Sequence, residues 1–151
     1  MKYNILPQTT KKSAKHTCNK VNKNIRNKTV CCIEKYKDSN KEILTERINK
    51  LNFEWDTERV LETNAASIIL LSSILGFRKK RDNCFILSGM VGFFLLMHAL
   101  QGWSPPLPII RKFGVRTAEE ISEEKFALKH LRGDFSDHVN EADKMLENTE
   151  K

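Results

Sequence analysis

Two apolar segments dominate the hydrophobic pattern of this chain. The first is the uncharged stretch from Asn64 to Phe77, and the second runs from Cys84 to Leu100. In a helix, the second segment has apolar residues on every side, as is typical of a helix in lipid or in the core of a large protein. The rest of this 151-residue chain is too polar to supply a large core. The pattern therefore predicts a pair of membrane-embedded helices.

The turn between the two segments is strongly basic. Its cations are Arg78, Lys79, Lys80 and Arg81. Because charges of this density cannot lie in hydrocarbon, the turn is expected to lie against lipid headgroups and to reverse the chain. Residues 58–103 are therefore predicted to form an antiparallel transmembrane helical hairpin.

The first helix of this hairpin is short for a bilayer. With Asp56 or Thr57 as its N-cap, it would run from Glu58 to Phe77, which is 20 residues or roughly 30 Å. Its uncharged part has only 14 residues, whereas spanning helices usually have about 17 to 25. The sequence leaves open whether this segment crosses a bilayer completely.

A proline-rich exit turn is predicted over residues 104–116. With the end of the hairpin it gives the motif Gly102, Trp103, Ser104, Pro105 and Pro106. Proline breaks a helix because it lacks the backbone N–H, and tryptophan is enriched at the headgroup layer. We expect the chain to leave the membrane here.

The N-terminal region is basic and polar. Residues 1–41 hold eleven of the 26 Lys and Arg residues against only Glu34 and Asp38, and the whole chain has a net charge of +7. Residues 1–38 have too few apolar side chains to offset the entropy of ordering, which predicts a disordered basic tail. Such a tail is attracted to phosphates, and anionic lipid is the simplest target beside a membrane segment.

Short helices are predicted on both sides of the hairpin, so the fold class is all-α. Ser39 and Glu42 have capping-box spacing, which indicates a short amphipathic helix and linker over residues 39–57. Residues 117–151 are predicted to form a C-terminal amphipathic helix, ended near Gly133, and a weaker last helix. The signals for these two helices are the capping pair Thr117 and Glu120 and the apolar residues Val139, Ala142 and Leu146.

Small residues one turn apart occur in both apolar segments. The pairs are Ser72 with Gly76 and Ser88 with Gly92. Such pairs let helix backbones approach closely in lipid. They predict tight packing either within the hairpin or between two copies of the chain.

Candidate catalytic and metal-binding groups are sparse. His98 lies near the end of the second apolar segment, where it is interpreted as hydrogen-bonded or snorkelling, with a proton relay as the alternative. His16, Cys18, Cys31 and Cys32 lack the ligand spacing of a zinc knuckle. No Ser-His-Asp ordering, phosphate-binding glycine loop or zinc helix motif occurs in the sequence, so we predict neither an enzyme nor a cofactor.

The order of features from Arg59 to Arg116 resembles the YgaP-like transmembrane domain family. The residues that carry the resemblance are Glu58-Arg59, Gly102-Trp103-Ser104-Pro105 and Arg111-Lys112-Phe113-Gly114-Val115-Arg116. This family consists of small hairpin proteins of the bacterial inner membrane, found alone or fused behind rhodanese domains, and has no established general activity. The resemblance implies that location, with both termini in the cytoplasm. Ser104 is a departure, because family members often carry cysteine at this place.

Three functions are compatible with the sequence. The main prediction is a small integral membrane protein that acts as an anchor or interaction module, with lipid, a second copy or another protein as its partner. One alternative is a soluble helical nucleic-acid-binding protein, but the basic tail has no aromatic residue between Tyr3 and Tyr36 for base stacking. The other alternative, implied only by the rhodanese fusions of the family, is a membrane accessory to sulfur or thiol transfer.

Overall fold

A computed structural model describes residue 8 and residues 10–135. Over these residues the protein is all-helical and has no strand, which confirms the predicted fold class. The helices are α1 (Lys12–Lys15), α2 (Asn19–Tyr36), α3 (Lys41–Asn52), α4 (Thr57–Lys79), α5 (Asp82–Gln101), α6 (Leu107–Lys112) and α7 (Ala118–Arg132).

The chain forms two compact units. Unit 1 comprises Met1–Lys23 and Trp55–Ala118, and so contains α1, α4, α5 and α6. Unit 2 comprises Asn24–Glu54 and Glu119–Lys151, and contains α3 and most of α2 and α7. Each unit is therefore assembled from two separate stretches of the chain.

In unit 1, α4 and α5 pack side by side in opposite directions. Asp56 is the N-cap of α4, as predicted, and its carboxylate accepts a hydrogen bond of 2.8 Å from the N–H of Arg59. The helix ends at Lys80, which adopts the left-handed conformation with φ 49°, and α5 follows after Arg81. The reversal thus takes two residues.

Two helical stretches are long and apolar enough to cross a membrane by length and composition. One is Lys41–Lys79, which includes α3, the interruption at residues 53–56 and α4, and the other is α5. Only 17% and 6% of their most apolar windows are buried inside the structure. These helices are therefore not covered by other parts of the described chain.

The proline-rich exit segment contains a helix, which corrects the expectation of an unbroken turn over residues 104–116. Pro106 is the N-cap of α6, and Pro108 lies in its first turn. Backbone N–H groups at these positions have no intrahelical partner, so proline costs nothing there. The prolines therefore start this helix instead of preventing it.

The described part of the N-terminal tail is helical, which corrects the prediction of disorder over residues 1–38. It forms α1 and α2, and the spacing of Val21, Ile25, Cys32 and Tyr36 places one side chain per turn on the same face of α2. Ile25 on this face is only 3% exposed. This stripe gives an otherwise polar and basic helix one face that can pack against other parts of the chain.

Unit 2 has a small hydrophobic core between α3 and α7. It consists of Leu44, Ile48, Leu51, Ile121 and Leu128, with Tyr36 packed against it. The N-cap of α3 is Asn40, whose side chain accepts a 3.1 Å hydrogen bond from the N–H of Ile43, and not the predicted Ser39.

The C-terminal helix of the prediction corresponds to α7. This helix ends at Arg132, and Gly133 follows with φ +90°, as predicted. The weaker helix expected around Val139, Ala142 and Leu146 lies outside the described residues.

Candidate functional site

A cluster of buried and partly buried polar side chains lies at the open end of the α4–α5 pair, which is the end away from the turn at residues 80–81. We call it the Glu58 cluster, and it consists of Lys12, Ser13, Glu58, His98 and Ser104. Ser13, His98 and Ser104 are 1%, 2% and 1% exposed. Polar groups this deeply buried are stable only when they are hydrogen-bonded to one another.

The Glu58 carboxylate is the centre of this cluster. One oxygen, Oε1, accepts a hydrogen bond of 2.9 Å from the hydroxyl of Ser13. The other, Oε2, lies 3.0 Å from Nε2 of His98 and 3.6 Å from Nζ of Lys12. On the far side of the imidazole ring, Nδ1 lies 3.4 Å from Oγ of Ser104. Side chains from α1, α4, α5 and the exit segment thus meet around one carboxylate.

The charged form of Glu58 is stabilised by these neighbours. His98 and Ser13 lie within hydrogen-bond distance of the carboxylate, and the ammonium of Lys12 adds an opposite charge 3.6 Å away. Glu58 lies in the first turn of α4, ahead of the uncharged stretch that begins at Asn64. The negative charge at the helix N-terminus also interacts favourably with the helix dipole.

The backbone holds the cluster closed. Gly102 ends α5 with φ +78°, and its N–H donates to the carbonyl oxygen of His98 at 2.7 Å. A Cβ atom at Gly102 would lie 2.5 Å from Cβ of Lys12 and 2.7 Å from its backbone carbon. Only glycine permits α1 to approach α5 this closely while the chain turns.

Arg111 fixes α6 to the N-terminal segment of the same unit. Its guanidinium is fully buried and donates hydrogen bonds to Oγ1 of Thr17 at 3.3 Å, to Oδ1 of Asn22 at 2.9 Å and to the carbonyl oxygen of Val115 at 2.9 Å. Because a guanidinium offers several donors in one plane, it can bind three acceptors from different segments at once. Arg111 is therefore a structural centre of the open end.

The start of α4 is attached to the segment that follows α6. The N–H and the hydroxyl of Thr57 both donate to the carbonyl oxygen of Arg116, at 2.8 and 2.9 Å. Among the described residues, every buried side-chain nitrogen or oxygen has a hydrogen-bond partner. The polar groups of the open end therefore form a satisfied network, which rigidifies the structure.

The row Ser104, His98 and Glu58 contains the same chemical groups as a hydrolase triad. In a hydrolase the serine hydroxyl must reach a substrate carbonyl. Here the side chain of Ser104 is almost completely buried, and the distance of 3.4 Å to His98 is long for a hydrogen bond of an activated hydroxyl. The arrangement joins the helices, and it does not present a nucleophile in this conformation.

Three of the four predicted packing residues lie between α4 and α5. The hydroxyls of Ser72 and Ser88 are 2.6 Å apart, and a Cβ atom at Gly76 would lie 3.0 Å from the ring of Phe85. Gly92 differs, because a Cβ there would have no neighbour within 4 Å. Gly92 therefore does not pack within the α4–α5 pair, and its role in packing between two copies stays a prediction.

The predicted basic turn and exit motif are separated by the length of α5. In the turn, Arg78, Lys79, Lys80 and Arg81 are all exposed. In the exit motif, Gly102 and Ser104 are buried, whereas Trp103, Pro105 and Pro106 are exposed. The indole of Trp103 also makes an edge contact with Phe94 at 6.2 Å between ring centroids.

Unit 2 contains a separate buried ion pair that the sequence did not indicate. Glu124 on α7 is 0% exposed, and its Oε1 accepts hydrogen bonds from Nη2 of Arg47 at 2.7 Å and from the thiol of Cys32 at 3.3 Å. Its carboxylate joins α2, α3 and α7. Breaking such a pair by removing one partner leaves a buried charge, which is strongly destabilising.

The four residues weighed as metal ligands in the sequence lie at exposed or partly buried positions. His16, Cys18 and Cys31 are exposed, and Cys32 is partly buried beside Glu124. Within the part of the chain that the structure describes, no group of three His, Cys, Asp or Glu residues is placed to hold a metal ion.

In comparisons with known proteins, no protein-family model, no curated protein and no solved structure matches this chain. The resemblance to the YgaP-like transmembrane domain family therefore stays a prediction from its short motifs.

Proposed function

We propose that this is a small integral membrane protein in which α4 and α5 form a transmembrane hairpin, acting as an anchor or as an interaction module. The observation that carries the proposal is the exposure of the apolar side chains on both helices. Apolar surface is expelled by water and accepted by lipid at no such cost. A lipid environment is therefore the one in which this structure is stable.

The exposed apolar side chains of the two helices are many and large. They are Ile68, Leu70, Leu71, Ile74, Leu75 and Phe77 on α4, and Phe85, Ile86, Leu87, Met90, Phe93, Leu96 and Leu100 on α5. Burial of one such side chain is worth about 1.5–3 kcal/mol. At about half exposure, the set would cost on the order of 10–20 kcal/mol in water, which is as large as the stability of a whole domain.

Polar side chains in the apolar part of α4 bond to their own helix. The amide of Asn64 donates to the backbone carbonyl oxygen of Val60 at 2.7 Å. The hydroxyl of Ser67 donates to the backbone carbonyl oxygen of Thr63 at 2.7 Å. Ser72 bonds both to the carbonyl oxygen of Ile68 and to Ser88. Because lipid offers no hydrogen bonds, this internal satisfaction is what a spanning helix needs.

The lengths of the helices fit a bilayer when their polar ends are placed among headgroups. α5 has 20 residues and α4 has 23, which correspond to about 30 and 35 Å. The hydrocarbon core is roughly 30 Å thick. The polar first turns of α4 and the Glu58 cluster would then lie at one surface, and the basic turn at the other.

The decisive experiment is alkaline carbonate extraction of membranes that contain the protein. We expect the wild-type protein to stay in the membrane pellet and to require detergent for release. A variant with Leu87→Lys and Met90→Lys should leave the pellet to a large extent, because a lysine near the centre of a helix costs about 2.5–3.5 kcal/mol on insertion.

The matched control also has two apolar residues replaced by lysine, but in unit 2, at Ile43 and Phe126, which are 45% and 57% exposed. This control should remain in the pellet. Recovery of most of the wild-type protein in the soluble fraction would overturn the proposal.

A further inference from the structure

We infer that the open end of unit 1 is a binding surface for anionic phospholipid headgroups. The inference rests on the proposed membrane location and adds the lipid class that this end prefers. The surface, which we call the basic collar, consists of the exposed residues Lys11, Lys15, Lys20, Lys23 and Lys112.

Four contacts place the N-terminal part of the collar at the open end. The backbone of Lys12 lies against Gly102, and Ser13 donates to Glu58 at the start of α4. Further along the chain, Thr17 and Asn22 both accept hydrogen bonds from Arg111 of α6. The segment with the four N-terminal lysines therefore runs across the open end and reaches α6.

The charge of this surface is almost uniformly positive. Residues 10–23 contain no acidic residue, and neither do residues 102–116. The nearby carboxylates are those of Asp56, Glu58 and Glu62. Asp56 caps α4, and Glu58 is bound by His98, Ser13 and Lys12, so Glu62 is the one that remains exposed among these three. Each lysine close to an anionic membrane surface strengthens attachment by roughly fivefold.

Apolar side chains are interspersed with these lysines. Ile109 and Phe113 are 60% and 84% exposed on the same face of α6 as Lys112, and Trp103 is 41% exposed just before this helix. A short helix with exposed apolar and basic side chains is typical of the membrane interface, where tryptophan is also enriched. Cationic charge alone would equally suit a nucleic acid, but exposed isoleucine and phenylalanine favour a surface with hydrocarbon beneath its phosphates.

The test uses Trp103 as a local reporter of the lipids around it. The chain has two tryptophans, so the variant Trp55→Phe leaves Trp103 as the sole indole. The full chain is reconstituted into bilayers of phosphatidylcholine and phosphatidylglycerol in which one of the two lipids is brominated. We expect brominated phosphatidylglycerol to quench Trp103 several-fold more effectively than its mole fraction predicts, and high salt to reduce this preference.

Two variants in the Trp55→Phe background distinguish the collar from general charge effects. Replacing Lys11, Lys15, Lys20 and Lys23 by glutamine should bring the ratio of quenching by the two lipids close to one. Replacing Lys79 and Lys80 by glutamine, at the opposite end of α5, should leave the ratio unchanged.

The outcomes separate this inference from the proposed function. A protein that inserts into bilayers but shows equal quenching by both lipids would overturn the collar alone. A protein that remains soluble without detergent and whose Trp103 is not quenched by either lipid would overturn the membrane location as well. If a short duplex DNA at equal phosphate concentration abolishes the preferential quenching of Trp103 by brominated phosphatidylglycerol, the surface recognises phosphate and not lipid.

Discussion

Gly102 and Gly133 adopt the same left-handed conformation in different surroundings. With an alanine at either position, the φ near +80° to +90° costs roughly 1–2 kcal/mol. At Gly102 the new Cβ would also collide with the backbone of Lys12, whereas at Gly133 it would meet nothing within 4 Å. We therefore predict that Gly102→Ala displaces α1 from the α4–α5 pair and that Gly133→Ala does not.

Limited trypsin digestion in detergent measures this displacement. If the collision with Lys12 destabilises the docked state of α1 by more than about 1.4 kcal/mol, cleavage after Lys12 and Lys15 should be at least tenfold faster in Gly102→Ala. The Gly133→Ala variant is the control and should be cleaved there at the wild-type rate. Equal rates in all three proteins would show that α1 is not held by this contact.

The spacing of the small residues in the apolar segments predicted some helix-packing contacts but not all of them. Ser72, Gly76 and Ser88 lie between α4 and α5, as the spacing suggested. Gly92 has the same spacing but faces open space. Spacing identifies residues that share one face of a helix, but the direction in which that face points depends on how the helix is rotated against its neighbour.

At the scale of elements, the sequence located α3, α4, α5 and α7 but missed α1, α2 and α6. The helix α2 has few apolar residues, and its contacts include that of Asn22 with Arg111, which lie far apart in the chain. The helix α6 is likewise attached to the N-terminal segment, because Arg111 donates to Thr17. Composition alone cannot report such long-range contacts.

The Glu58 cluster contributes to the stability of the α4–α5 pair. Its carboxylate lies within hydrogen-bond distance of Ser13 and His98 and 3.6 Å from the ammonium of Lys12. Glu58→Gln should cost about 1 kcal/mol, since the carboxylate is partly exposed and screened.

Thermal unfolding in detergent measures this cost. Glu62→Gln is the matched control, because Glu62 lies one turn further along the same helix and is exposed. It should have little effect. A Glu58→Gln variant as stable as the wild-type protein would contradict the assigned role of the carboxylate.

For the whole molecule, the sequence indicated the helical class and the two apolar helices, but not the cluster that closes them. His98 was recognised as a hydrogen-bonded candidate, whereas its partner Glu58 appeared only as part of a helix start. In an antiparallel pair, residues at similar distances from the turn meet, and this rule would have placed Glu58 near Ser104 but not beside His98. The contact of Ser13 with Glu58 had no such signal, because it joins residues 45 positions apart.

The orientation of the proposed hairpin follows from its flanking charges. The turn carries Arg78–Arg81, whereas the other side carries the basic residues near the ends of the hairpin together with the basic N-terminal segment, so the positive-inside rule favours both termini in the cytoplasm. Carrying the N-terminal charge outward against the membrane potential would also be unfavourable.

We therefore expect that, in intact cells, a membrane-impermeant maleimide labels a cysteine at Asn83 but not one at Glu123, in a chain whose native cysteines are replaced by serine. Both positions are exposed in the structure, and lysis should make Glu123 reactive, which serves as the control. Labelling at Glu123 alone would show the inverted orientation, and labelling at neither would show that α4 and α5 enter the bilayer from the cytoplasmic side without crossing it.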